Sequence, residues 1–245
     1  MEHLEHKKEK RNERAAIQLG LFLVGLLLFG TAAGGQLTGE EKNGKEKAAI
    51  QTSGVVSDAA EPKKIALTFD DGPHPVYTKI LLDGLAERGA KASFFVTGEN
   101  AEKYPELILR MQKEGHLIGN HTYHHVELTK VSENEARLEL ADTSAVIVRI
   151  TGKEPEYMRP PFGAWQRKLE QEIQMLPVLW TIDPLDWTTE NQDEIVNKVV
   201  TEAEENDIIL LHDCYKSSIE AGLRIVDILQ EEGFVFVTVD ELLLN

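Results

Sequence analysis

From residue 63 to the C-terminus, short runs of β-branched and aromatic residues alternate with longer stretches of helical period, and the join from helix back to strand is repeatedly a glycine. Gly89 precedes the run 91–96, Gly115 precedes 116–118, Gly152 closes the stretch that opens at Ser132, and Gly233 precedes 234–237. Glycine tolerates the left-handed backbone that ends a helix, and Ser132 with Glu135 predicts a capping box at a helix start. Further strands are expected at 65–69, 157–159, 178–182 and 208–211, which makes about seven. Helices are expected at 75–88, 99–114, 132–151, 166–175, 192–205 and 218–232. Such alternation implies a parallel sheet, because a parallel partner is reached only through a crossover.

The polar residues that could do chemistry fall at one end of that sheet. Asp70 and Asp71 end the first expected strand, His121 and His125 follow the third, Arg159 ends the fourth, and Asp183, Asp186 and His212 end later ones. These are C-terminal strand ends, where the loops of a (β/α) barrel converge and where its active site lies. The expected fold is therefore α/β, a (β/α) barrel over residues 63–245. An open doubly wound sheet is the alternative.

Ahead of this domain, residues 1–14 form a charged tail with Lys7, Lys8, Lys10, Arg11 and Arg14, and residues 15–33 form an apolar run broken only by Gln18, glycines and Thr31. A helix of that length rises about 28 Å, close to the hydrocarbon thickness of a bilayer. A single-pass membrane anchor is expected, with a cleaved signal ending at Thr31-Ala32-Ala33 as the alternative. The basic flank predicts a cytoplasmic tail and a domain outside the cell. Residues 34–62 are polar, Gly-rich and free of aromatics, and read as a flexible linker.

Composition narrows the function classes. The chain has 245 residues and 42% hydrophobic content, enough for one sizeable core. Its 26 Lys+Arg against 42 Asp+Glu give a net charge of −16, and nearly all of that excess lies in 63–245, which argues against nucleic-acid binding. The single cysteine, Cys214, rules out an intramolecular disulfide framework and reads as a packed thiol. No Ser-centred G-x-S-x-G elbow is present.

His121 and His125, with one carboxylate of the Asp70-Asp71 pair, can supply three ligands to one metal ion. Three protein ligands leave positions open for water and a substrate oxygen, which is the arrangement of a catalytic site. The second carboxylate is then free to act as a base.

At these residues the chain resembles the polysaccharide deacetylases, the NodB-homology domain of carbohydrate esterase family 4. The resemblance spans residues 63–245 in five ordered blocks. They are Thr68-Phe69-Asp70-Asp71-Gly72-Pro73, His121-Thr122-Tyr123-His124-His125, Arg159-Pro160-Pro161-Phe162-Gly163, Asp183-Pro184-Leu185-Asp186-Trp187 and Leu210-Leu211-His212. It implies a distorted (β/α) barrel of about seven strands, a divalent metal and removal of acetyl groups from carbohydrate. Phe162 departs from the tyrosine frequent in the family at that position. The family binds the oxyanion through the backbone N–H there, so the lost hydroxyl is expected to alter substrate contacts more than catalysis.

The resemblance implies a role for each residue. Asp71, His121 and His125 bind the metal, Asp70 is the general base, and Arg159 pairs with Asp70. His212 is the general acid, and a carboxylate beside it fixes its tautomer and raises its pKa. Asp186 is the expected partner, with Asp183 the alternative. Trp187 offers a face for sugar stacking and Leu210 lines a pocket for the acetyl methyl. His74, His116 and His124 read as bystanders, Trp165 and Trp180 as core.

The expected function is metal-dependent N-deacetylation of an N-acetylglucosamine-containing polysaccharide, with peptidoglycan the expected substrate because a tether would hold the domain against a cell wall. The expected ion is Zn²⁺, with Co²⁺, Mn²⁺ and Ni²⁺ as alternatives, and the expected state is a monomer that binds no nucleic acid. Two alternatives are an O-acetyl esterase acting on xylan and a catalytically silent wall-binding module.

Overall fold

The computed structural model describes residues 62–244, apart from 167 and 170–172. Strands β1 (Lys63–Asp70), β2 (Ser93–Val96), β3 (Leu117–Asn120), β4 (Tyr157–Met158), β5 (Leu176–Pro177), β6 (Ile208–His212) and β7 (Phe234–Val237) form one sheet, and every pairing between them is parallel. The order is β5-β4-β3-β2-β1-β6, with β7 also paired to β1, and because the segment after β5 reaches back to bridge β6, the sheet is a barrel sequence opened between β5 and β6. A doubly wound sheet would reverse direction at a switch point. Here the sheet curls, and the segment beyond β5 lies along the opening: Val178 N–H donates to the Met158 carbonyl at 2.8 Å, and Ile182 bridges Ile209.

The helices are α1 (Tyr77–Glu87), α2 (Gly98–Lys103), α3 (Pro105–Lys113), α4 (Glu133–Thr151), α5 (Gln192–Glu202), α6 (Lys216–Glu231) and α7 (Val239–Leu243). Where one helix was expected over 99–114 there are two. Pro105 has no N–H and disfavours helical geometry in the residue before it. Tyr104 accordingly sits at φ −130°, ψ 58°. The strand expected at 178–182 is instead the two-residue β5 followed by the irregular segment, and the helix expected at 166–175 falls partly outside the described residues. At the start of α4, Ser132 Oγ accepts from the Glu135 N–H as expected, and Gly152 ends the helix at φ 71°.

Alternation along β1 sorts the core into two layers. Ile65, Leu67 and Phe69 point outward into the large cluster under the helices, with Phe69 stacked on Phe94 of β2 at 5.5 Å between centroids. Ala66 points inward and meets Phe95, Tyr157, Ile208 and, from α7, Val239 and Leu242. The short C-terminal helix thus plugs the end of the curl where β1 begins. The inward positions nearer the other end, Thr68 and Asp70, are polar and buried. The apolar floor leaves the chemistry at the C-terminal ends of the strands.

Among the described residues no helix is long and apolar enough to cross a membrane. The expected tail at 1–14, the anchor at 15–33 and nearly all of the linker at 34–62 lie outside the described residues.

Candidate active site

Asp70 ends β1 and Asp71 follows it, and β6 lies alongside in register, which pairs Asp70 with His212. The ligand atoms of Asp71, His121 and His125 lie within 4.8 Å of one another. Asp71 Oδ1 is 3.4 Å from His121 Nε2 and 3.2 Å from His125 Nε2. This oxygen is buried and has no hydrogen-bond partner, a costly state for a carboxylate unless a cation completes it. His121 Nδ1 is 2.7 Å from the Arg159 carbonyl, which makes Nδ1 the donor there and leaves Nε2 as the nitrogen that faces Asp71. Two imidazole nitrogens and one carboxylate oxygen suit a divalent ion such as zinc. Burial alone would raise the Asp71 carboxyl, but the His121 imidazolium against it, then the charges of His125 and His212, hold it at about 2. The ligand oxygen is therefore ionised throughout the neutral range.

Arg159, directly after β4, is completely buried. Its Nη1 donates to Asp70 Oδ1 at 2.8 Å and to Thr68 Oγ1 at 2.7 Å, Nε donates to the Val178 carbonyl, and the guanidinium lies over the Phe95 ring at 4.2 Å. A guanidinium so thoroughly partnered holds the Asp70 side chain at a fixed orientation. The other Asp70 oxygen, Oδ2, is 3.7 Å from His121 Nε2 and so faces the metal ligands.

On the opposite side, His212 ends β6 and is bound twice by Asp186: Nδ1 is 2.8 Å from Oδ1, and the backbone N–H donates to Oδ2 at 2.9 Å. Burial pulls the imidazolium down, but the Asp186 hydrogen bond and charge, with Asp70 and Asp71 beyond, more than offset it and hold the pKa at about 9. Asp183 instead accepts from the Leu185 N–H at 2.8 Å, a local turn bond, so Asp186 is the carboxylate beside His212. Leu210 shares its strand face with His212, while Ile209 and Leu211 point into the large core. Trp187 is 57% exposed in the 3₁₀ turn Asp186–Thr188 and opens with Tyr77 and Tyr215 onto a cavity of about 720 Å³. Phe162 is 67% exposed in the turn after β4, its ring edge-on to His125 at 4.8 Å.

Backbone strain gathers at the same place. Six non-glycine residues among those described have positive φ, and five of them, Asp71, Thr122, His125, Phe162 and Leu185, belong to the motif loops. Such conformations cost energy and persist where surrounding contacts enforce them. At Gly72 an added Cβ would run into the carboxylate of the buried Asp213, so a larger residue has no room there.

Three residues that the sequence set aside or left unmarked contact the motif loops. His124 stands outside the metal cluster, and its Nδ1 binds Glu139 Oε1 at 2.8 Å. Glu139 and Asp213 carried no motif. Glu139 does interrupt the buried stripe Ala136, Leu140, Thr143 and Ile147 on α4, a charge amid core positions, and that signal was legible. His74 Nδ1 accepts from the Val76 and Tyr77 N–H groups at the start of α1, and His116, buried at β3, is pushed down to about 4 chiefly by desolvation. Burial, then the nearby Asp71, Asp213 and Asp186 charges, pushes the Cys214 thiol up to about 12, so it is no nucleophile at neutral pH. Trp165 and Trp180 pack against core clusters.

A curled parallel sheet with two histidines and a carboxylate at its C-terminal end, opposite a carboxylate-bound histidine, is the arrangement of a hydrolase that acts through a metal. A family model described as polysaccharide deacetylase matches residues 57–179. The chain is 41% identical over 180 residues to the peptidoglycan-N-acetylmuramic acid deacetylase PdaC of Bacillus subtilis, a match that covers 74% of this chain and 38% of that protein. The solved structure of PdaC superposes with a TM-score of 0.73, covering 74% of this chain and 90% of that one. A peptidoglycan-N-acetylglucosamine deacetylase of Bacillus cereus is 38% identical over 189 residues, 74% of this chain and 88% of that protein. The Xyl-CE4 domain of a multidomain xylanase from the hindgut metagenome of Trinervitermes trinervoides superposes with a TM-score of 0.69 at 33% identity, covering 74% and 89% of the two chains. This chain belongs to the polysaccharide deacetylase family.

Proposed function

We propose that this chain is a divalent-metal-dependent deacetylase that removes N-acetyl groups from N-acetylglucosamine-containing polysaccharide, with peptidoglycan as substrate. The observation that carries the reading is the buried, unpartnered Asp71 Oδ1 between His121 Nε2 and His125 Nε2, facing a His212 that Asp186 keeps protonated. Asp71, His121 and His125 would hold a divalent cation, with Zn²⁺ the ion proposed, which would supply polarisation of the acetyl carbonyl and a lowered pKa for the attacking water.

The chain's own groups move the protons. Asp70, oriented by Arg159, takes a proton from water as its oxygen adds to the acetyl carbon. The Phe162 turn, left-handed at φ 59°, supports presenting its backbone N–H to the oxyanion. Asp186 occupies His212 Nδ1, so Nε2–H is the donor that protonates the departing nitrogen as the C–N bond breaks. Water and amide become acetate and a free amine. Leu210 faces the acetyl methyl, and Trp187 offers an exposed ring to a neighbouring sugar.

Peptidoglycan is favoured by the names of the sequence relatives and by the expected anchor at 15–33, which would place the domain outside the cell against the wall as a monomeric, membrane-held enzyme. Likeness to the Xyl-CE4 domain supports the second reading, O-deacetylation of xylan. Acetate release by the full chain from peptidoglycan, chitin oligomers and acetylated xylan separates them, with His212→Ala beside the wild type. An amine must be protonated to leave and an alkoxide far less so. The proposal expects release from the N-acetylated glycans and its loss in H212A. Release from xylan alone, untouched by H212A, would overturn it.

A further inference from the structure

We propose that Glu139 is a positioning residue that sets the spacing of the two histidine metal ligands; the inference rests on the metal reading of the site given above. The two histidines do not share a helix face. They sit on a tight loop in which Thr122 and His125 are both left-handed, at φ 64° and 56°. Neither is glycine, so the loop does not take this shape by its own preference.

Its backbone donors show what holds it. The His121 N–H donates to the Val96 carbonyl and the Thr122 N–H to Asn120 Oδ1, both at 2.9 Å. The next two N–H groups, of Tyr123 and His124, both donate to Glu139 Oε2, at 2.9 and 2.8 Å. Glu139 Oε1 binds the His124 ring. One carboxylate thus takes three bonds from the segment that joins the ligands and fixes the peptide between Tyr123 and His124. Glu139 is 9% exposed on α4, and Asn120 ties to the same helix through the Leu140 carbonyl and Ser144 Oγ. The helix acts as a splint, with Glu139 its contact to the loop centre. Two charge-assisted bonds to adjacent N–H groups hold a strained turn more firmly than neutral acceptors could.

Groups that orient metal ligands typically change metal affinity 10- to 100-fold when removed. The test is Co²⁺ binding to the chelated full chain, read by titration and by visible absorption, for wild type, Glu139→Ala, Glu139→Gln and Thr143→Val. Thr143 is buried on the same helix and donates to the Glu139 backbone carbonyl, so it controls for damage to α4. E139A is expected to bind about 10- to 100-fold more weakly with an altered spectrum, E139Q to fall between it and wild type, and T143V to stay within about twofold of wild type. If E139A does not fold, E139Q alone carries the comparison. Affinity and spectrum unchanged in the Glu139 variants, or an equal loss in T143V, would overturn the inference. A wild type that binds no Co²⁺ would sink the metal reading and this inference with it.

Discussion

Asp186 grips His212 with both carboxylate oxygens, one on the ring Nδ1 and one on the backbone N–H, while being 1% exposed itself. The proton that His212 carries is therefore set by a neighbour fixed in two directions. With its pKa held at about 9, the alkaline limb of kcat/KM is expected below that value in the metal-loaded protein, because a cation offsets the Asp71 charge that helps raise it.

Asp186→Asn should move that limb downward by more than one pH unit and lower kcat by about 10²- to 10⁴-fold at pH 8. The same pair predicts a stability difference. His212 binds its proton more tightly folded, at about 9, than unfolded, at about 6.5, so its contribution is fully present below pH 6.5 and lost as pH rises through 9. Thermal unfolding of wild type and D186N should differ by on the order of 3 kcal/mol at pH 6 and converge toward pH 10.

Asp70 and Arg159 form a buried pair 2.8 Å apart, so neither can be removed without stranding the other. Arg159→Met is expected to cost about 3–5 kcal/mol, read as a lower midpoint in urea, because the structure then keeps an unpaired buried carboxylate. Asp70→Asn should cut acetate release by roughly 10³-fold while the protein still binds metal. Retention of metal with loss of turnover separates a base from a ligand.

Metal affinity should fall as pH falls. Burial pushes the His121 imidazolium down, but Asp70, Asp71 and the Arg159 carbonyl raise it further, so the free site holds a proton that a cation must displace. Zn²⁺ titrations at pH 6 and 8 should show tighter binding at pH 8. At a free metal concentration of 100 Kd the folded state gains about 2.7 kcal/mol, visible as a Tm that chelator lowers.

Phe162 is two-thirds exposed, and its side chain meets the site through its ring edge on His125. Phe162→Tyr should therefore leave Tm and kcat nearly unchanged and shift KM, because it adds a hydroxyl at the mouth of the site and nothing within it. A change in kcat of tenfold or more would mean that the hydroxyl reaches the reacting atoms.

Local signals in the sequence reached far. Gly89, Gly115, Gly152 and Gly233 marked helix ends, and all four have positive φ. Polar residues at strand ends located the site, because a parallel strand's C-terminal end is where its loop begins. The boundaries were misread where backbone rules compete with periodicity: Pro105 splits a helix that apolar spacing joins, and the segment after β5 follows the curl of the sheet instead of pairing as a strand. The choice between Asp183 and Asp186 was illegible because both precede the same turn, and only tertiary packing shows which one meets β6. Glu139 interrupts the buried stripe of α4, a legible charge amid core positions, but what it does there was not legible, because two of its three partners are backbone N–H groups.

The most direct test of the account is acetate release from N-acetylated peptidoglycan by the full chain, stripped of metal with chelator and then titrated with Zn²⁺. The stripped protein should release none, recover fully at one equivalent of Zn²⁺, and fail to recover as Asp71→Ala. Release from the stripped protein at the full rate, or a failure of Zn²⁺-loaded wild type to release acetate, would contradict it.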